Sequence, residues 1–330
     1  MPGIGRREFL TLLGGAVVAW PFAARAQRRA TPVVGFLGAA SRDHTRARLR
    51  AFHEGLSEMG YVEGRNVVFE YRWAENQPER IPELIADLAR RPLSALVTIA
   101  GTPSALAAKK ATTTIPVVFV AGTNPAEAGL VVSLSRPGGN LTGVSSLALR
   151  LAPKRLELLH TLLPAATAFA IIVNPASSLA EAATTDARRA AQALGLTLYV
   201  LQASSERDFD MVFANARQLR ASGLVIDPDQ LFVNHSEQLA QLALRHAMPT
   251  VFVYRDFATA GGLMSYGGSL KELYGLVGVY TGRILKGDKP GDLPVQQAMR
   301  VELIINMKSA EALGLDVPPT LLAAADEVIE

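Results

Sequence analysis

Val33-Val34-Gly35-Phe36-Leu37-Gly38 is an uninterrupted apolar run of strand length, and the chain changes period directly after it. Leu49, Phe52, Leu56 and Met59 recur at spacings of 3, 4 and 3, which is one face of a helix. This pair decides the fold because it repeats. Residues 67–72 read as a second strand, and Ile81, Leu84, Ile85 and Leu88 as a second helix face. Strands follow at 95–99, 117–120 and 141–146. The rhythm then restarts with a helix face at Leu156, Leu159, Leu162 and Leu163 and a strand at 169–173. A helix over about 178–194 ends at Gly195, a plausible cap, and a strand spans 196–201. Phe209, Val212, Phe213, Ala216 and Leu219 mark the next helix, followed by strands at 224–226 and 250–254 around a helix over about 235–246. Val/Ile/Leu runs without polar alternation, separated by helices, indicate parallel strands covered on both faces. Two such blocks predict an α/β fold of two doubly wound parallel-sheet lobes.

Four strand ends share one chemistry. Thr102-Pro103, Thr123-Asn124-Pro125, Asn174-Pro175 and Asp227-Pro228 each place a capping residue before proline, which predicts four sharp helix starts. Ligands of open parallel sheets bind beyond the carboxyl ends of the strands, and helix N-termini there offer free N–H groups to an anion. Asp227 and Asp229 read as a helix-start pair, with ligand recognition as the rival reading.

Residues 1–26 read as a leader. Arg6-Arg7-Glu8-Phe9-Leu10 opens an apolar stretch of about 15 residues that ends in Ala24-Arg25-Ala26 before Gln27. The stretch falls short of the ~20 apolar residues needed to span a bilayer, and the paired arginines suit twin-arginine export. Cleavage after Ala26 and a periplasmic location are therefore expected. Of the 330 residues 49% are hydrophobic and 19% charged, which supports a filled core. The net charge of +3 overstates the working chain. Three of the 33 basic residues and one of the 30 acidic ones lie in the leader, which leaves +1 and no basic field for nucleic acid. Arg46-Ala47-Arg48-Leu49-Arg50 and Arg188-Arg189 read as solvated helix faces. With no cysteine there is no disulfide and no lipid attachment at the leader's end.

Catalytic and cofactor motifs are missing. There is no G-x-G-x-x-G, no phosphate loop and no G-x-S-x-G elbow, and the five histidines lack ligand spacing. No enzyme, cofactor or metal site is read from the chain.

Several stretches carry a family resemblance. They are Phe52-His53-Glu54-Gly55-Leu56, Gly60-Tyr61-Val62-Glu63-Gly64-Arg65-Asn66-Val67, Glu70-Tyr71-Arg72-Trp73-Ala74-Glu75 and Ile115-Pro116-Val117-Val118-Phe119. Ser135-Arg136-Pro137-Gly138-Gly139-Asn140-Leu141-Thr142-Gly143 and Ala260-Gly261-Gly262-Leu263-Met264-Ser265-Tyr266-Gly267 extend it, as does the tail from Glu302 to Pro319. From Val33 onward the chain resembles type I periplasmic substrate-binding proteins of ABC transporters, a group with members linked to aromatic amino acids. The resemblance implies two lobes joined by a three-segment hinge, crossing near 145–148, 255–260 and 291–295. Lobe 1 would hold 27–147 with 258–292, and lobe 2 would hold 148–257 with 293–330. It implies a monomer that closes on a small ligand and docks on an inner-membrane ABC permease. The alternative is a sensory protein that presents its ligand-bound form to a membrane receptor.

Position and chemistry select the expected ligand residues. Ala40 and Ser41 follow the first strand, Thr102 and Ser104 the third, and Gly122 and Thr123 the fourth; their hydroxyls and N–H groups suit a carboxylate. Asn174 and Asp227 would face them from the second lobe, with Asp227 holding an ammonium. Trp73, Tyr254 and Tyr266 could stack on an aromatic ligand. Arg255 either clamps a carboxylate or pairs with Asp256. An aromatic or branched amino acid, or an aromatic carboxylate, fits this set better than a sugar.

Overall fold

The run Val33–Gly38 forms β1, and its neighbours β2 (Val68–Trp73) and β3 (Ala95–Thr98) both run parallel to it. Residues 34–38 are all buried, as expected of a strand covered on both faces. Val34 and Phe36 meet Phe52 and Leu56 of the helix Arg46–Glu58 on one side, while Leu37 packs in the cluster of Ile85 and Leu88 on the other. The computed structural model describes residues 31–146, 151–177, 179–298 and 300–330. The expected leader, its twin-arginine motif and its cleavage point lie outside these residues, as do 147 and 148 of the first expected crossing.

The first sheet adds β4 (Val117–Ala121), β5 (Leu141–Ser146) and β11 (Gln296–Ala298) in the order β11-β5-β4-β3-β1-β2, with every pairing parallel. The second sheet holds β6 (Ala168–Val173), β7 (Thr197–Gln202), β8 (Leu224–Ile226), β9 (Thr250–Phe252), β10 (Met264–Gly268), β12 (Val301–Asn306) and β13 (Glu327–Ile329). Its order is β13-β12-β10-β9-β8-β6-β7. Strand order reverses at β1/β3 in one sheet and at β6/β8 in the other, which puts a switch-point crevice at the carboxyl ends of those strands.

The chain passes between the sheets three times: between β5 and β6, after β10, and between β11 and β12. Two of the passages fall at other positions than the resemblance implied. Met264–Gly268 lies in the second sheet and Gln296–Ala298 in the first, so sheet membership changes after 268 and 298 rather than at 258 and 293. One pairing, β10 with β12, is antiparallel where parallel strands were expected. The route explains it. The parallel strands of the second lobe end at the crevice, whereas β12 enters from the first lobe and runs the other way. The helix Leu270–Lys286 returns to the first lobe and packs on Arg46–Glu58. No helix among the described residues is long and apolar enough to cross a membrane.

The four expected helix starts are not built as the sequence suggested. Gly101–Ala111 begins one residue before Thr102, with no side-chain cap. Asn124 and Asn174 each fold their side-chain oxygen back to the N–H two residues on, at 3.0 Å, and make turns instead of helix starts. Asp229, not Asp227, caps the helix Gln230–Asn234 by accepting from Leu231 N at 2.9 Å. Proline blocks an N–H but does not impose a helix, and Asn competes with it by closing its own turn.

Candidate functional site

The carboxyl ends of β3, β4 and β5 and the helix Ala180–Ala193 of the second lobe enclose a cleft of about 450 Å³. Thr102, Gly122, Thr123, Ser145 and Ser146 line the first-lobe side. Thr102 and Thr123 stand 3.0 Å apart at their hydroxyls, and a Cβ at Gly122 would meet open space. Leu179, Ala182 and Ala183 face them from the second lobe, with Leu106 and Ala128 extending the apolar wall. Among the described residues, the charged ones in the lining are Glu127 and Asp186, and no lysine or arginine lines the cleft.

Three of the expected ligand residues, Thr102, Gly122 and Thr123, therefore meet in one cavity. Ser145 was missed as a contact. It is 1% exposed, it lines the cleft, and its Oγ has no hydrogen-bond partner among the described residues. Gln297 of β11 also lines the cleft, and only the observed strand pairing could have placed it there.

Asp227 and Arg155 form a buried pair in the second lobe, and neither is among the residues that line the cleft. Asp227 follows β8 and is 2% exposed, with its backbone N–H bonded to Ile172 O at 3.0 Å. Its Oδ1 has no partner among the described residues. Arg155, in the first turn of the helix Ala152–Leu162, is fully buried and donates from Nη1 to Tyr266 O at 3.4 Å. Burial pushes the Asp227 carboxyl up to about 7; the Arg155 charge opposes this and Asp229 adds to it. Burial lowers the Arg155 guanidinium to about 10, with Asp227 pulling it back. At neutral pH Arg155 stays charged while Asp227 is poised between its two forms.

The other expected residues have partners of their own. Ser104 is fully buried between Thr98 Oγ1 at 2.6 Å and Gly101 O at 2.7 Å, which makes it a helix anchor. Ala40 is buried, and Ser41 bonds His44 Nδ1 at 2.8 Å. Asn174 donates to Asp229 Oδ1 at 2.9 Å. Trp73 stacks on Tyr71 with ring centroids 5.8 Å apart and covers Gly38, which has no room for a Cβ. Tyr254 is buried, bonds the Ser146 side chain and has its hydroxyl pKa raised by burial. Tyr266 packs against the Leu156–Ile171 core. Arg255 lies away from the cleft and pairs through two bonds with Glu327, not with Asp256. Arg48, expected on a solvated face, is 9% exposed and donates to Tyr274.

Known proteins resemble this chain along most of its length. A tyrosine-binding protein of Clostridioides difficile (strain R20291) is 26% identical over 266 residues, covering 81% of this chain and 76% of the relative. A solved conserved domain protein from Vibrio cholerae O1 biovar El Tor superposes with a TM-score of 0.82 at 27% identity, covering 91% of this chain and all of the other. An ABC domain from Streptococcus pneumoniae in complex with L-Trp gives 0.80 at 23% identity, with the same coverage. A model of the ABC transporter substrate binding protein family matches residues 33–329, and the chain belongs to that family.

Proposed function

We propose that this protein is the extracytoplasmic solute-binding component of an ABC importer, and that it captures an aromatic amino acid between its lobes. The cleft's lining carries this reading: hydroxyls and an open glycine at one wall, an apolar wall opposite and, among the described residues, only acidic charged side chains. A volume of about 450 Å³ suits a small ligand. Thr102, Thr123 and Ser145 would take the carboxylate, and Asp227 would take the ammonium. Among the described residues the lining offers no cation to a ligand whose only charge is a carboxylate, which favours an amino acid over an aromatic acid without an amine. Kinship with a tyrosine-binding protein supports an aromatic over a branched side chain. Release of residues 1–26, work in the periplasm as a monomer, hinge closure and docking on a permease complete the proposal.

A thermal-shift screen of the chain from Gln27 tests it. Aromatic amino acids, branched amino acids, amine-free aromatic acids and sugars form the panel. A ligand at 100 times its Kd adds about 2.7 kcal/mol of stability. A rise in Tm with aromatic amino acids, and no turnover of them, is expected. A rise only with sugars or amine-free acids would sink the amino-acid reading, and turnover would sink the binding-protein reading. As a control, Arg255→Ala should leave ligand affinity unchanged within about twofold and lose under about 1 kcal/mol of stability, because its pair with Glu327 is solvent-exposed.

A further inference from the structure

Asn234 ends the helix Gln230–Asn234 in the second lobe and gathers side chains from both lobes. Its Oδ1 accepts from Gln230 Nε2 at 2.8 Å and from Arg48 Nη1 at 3.4 Å, and its Nδ2 donates to Asn76 Oδ1. Arg48 and Asn76 belong to the first lobe. Arg48 is held in place from behind, since it is buried and donates to the Tyr274 hydroxyl on Leu270–Lys286. Asn76 is held by its backbone. Glu75 and Asn76 have φ of 53° and 57°, two successive non-glycine residues in the left-handed region. Such a pair persists only where its surroundings impose it. Here Asn76 N–H bonds Ala39 O at 2.8 Å and Gln77 N–H bonds Ala74 O at 2.9 Å, which ties the loop to the end of β1. Arg48, Asn76 and Asn234 do not line the ligand cleft.

We propose that Asn234 is a latch residue that joins the lobes directly and sets how far the ligand-free protein is closed. The proposal rests on the reading above that the lobes open and close around the cleft. Contacts made only in the closed form bias a two-state hinge whether or not ligand is present, and ligand affinity scales with the closed fraction. Asn234 is thus a positioning residue, acting on the ligand through the lobes.

The chain has no cysteine, so Lys110→Cys and Arg217→Cys, one exposed site in each lobe, can carry a dye pair. Energy transfer in the ligand-free protein then reads lobe separation. Asn76→Gly removes the acceptor yet keeps the left-handed backbone accessible. Asn76→Asp keeps both acceptor and backbone. Asn234→Ala removes the hub. Asn76→Gly and Asn234→Ala are expected to lengthen the ligand-free distance and to weaken L-tyrosine binding about three- to tenfold, the range of one net hydrogen bond. Asn76→Asp should behave as the parent. A ligand-free distance that none of the variants changes overturns the latch, as does Asn76→Asp opening the lobes as far as Asn76→Gly. If the parent protein does not bind L-tyrosine, the tyrosine reading falls, while the ligand-free distances still decide the latch.

Discussion

Gly278→Ala should lower the unfolding midpoint by roughly 6–12 °C, whereas Gly275→Ala, three residues earlier on the same helix, should leave it unchanged or raise it. The helices Arg46–Glu58 and Leu270–Lys286 touch backbone to backbone. A Cβ at Gly278 would stand 2.0 Å from Phe52 O and 2.7 Å from Leu56 N, and one at Gly55 would stand 2.0 Å from Gly275 O. Neither obstacle is a flexible side chain, so one helix must move off the other. That movement disturbs Phe52 and Leu56, which fill the core under β1. Overpacking of this kind costs about 3 kcal/mol or somewhat more, and each kcal/mol shifts the midpoint by about 2–4 °C in a domain of this size class.

The control separates close packing from helix propensity. A Cβ at Gly275 meets nothing nearer than Ala51 O at 3.8 Å, an ordinary contact. Alanine there gains up to about 1 kcal/mol of helix propensity. Opposite signs in calorimetric unfolding confirm that the helix contact is the cause. A matching fall in both variants would show that the two helices do not depend on this approach.

Periodicity made the lobes legible, because strands buried on both faces and helices with one apolar face write different patterns. It placed Val33–Gly38, Leu141–Ser146 and Ala168–Val173 within a residue of their observed bounds. It could not place Gln296–Ala298, a strand of three residues whose membership depends on a partner more than 150 positions away. The cleft hydroxyls Thr102 and Thr123 were legible from their position after strands. Arg155 and Arg48 were legible too, though they went unread. Arg155 precedes Leu159 and Leu162 by 4 and 7, and Arg48 precedes Phe52 and Leu56 by 4 and 8, so each lies on its helix's apolar face. A lone arginine in an apolar stripe is evidence of a buried partner, here Asp227 for one and Tyr274 for the other. Treating arginines as a cluster by adjacency, rather than by helical face, hid this. The fate of Arg255 depended on Glu327, 72 positions away, and no local pattern encodes that.

Asp227→Asn should weaken amino-acid binding at least tenfold at pH 8, and it should abolish a pH dependence that the parent protein shows. The carboxyl is 2% exposed with an Oδ1 that has no partner among the described residues, and burial raises it to about 7 against the opposing charge of Arg155. On the proposed reading it meets the ligand's ammonium only when ionised. Affinity should then fall about tenfold per unit below pH 7, reaching roughly a hundredfold at pH 5, with a proton released on binding near neutrality. Losing the partner of a buried charge costs several kcal/mol, so the neutral amide cannot substitute for the carboxylate. The stability of the ligand-free protein should move the other way. Between pH 4 and 7 the folded state keeps the Asp227 proton and the unfolded state loses it. The contribution from this site is therefore full below the unfolded pKa and lost as pH rises towards 7. Asp227→Asn removes that loss, so its midpoint should gain on the parent's as pH rises from 4 to 7. Titration calorimetry from pH 5 to 8, in buffers of different ionisation heat, reads the affinity and the proton release. Unfolding scans over pH 4 to 8 read the stability. A parent affinity that stays flat across this range would remove Asp227 from the ligand's ammonium. If only the affinity were flat, with the stability trend intact, Asp227 would remain a buried titrating group that the ligand does not touch.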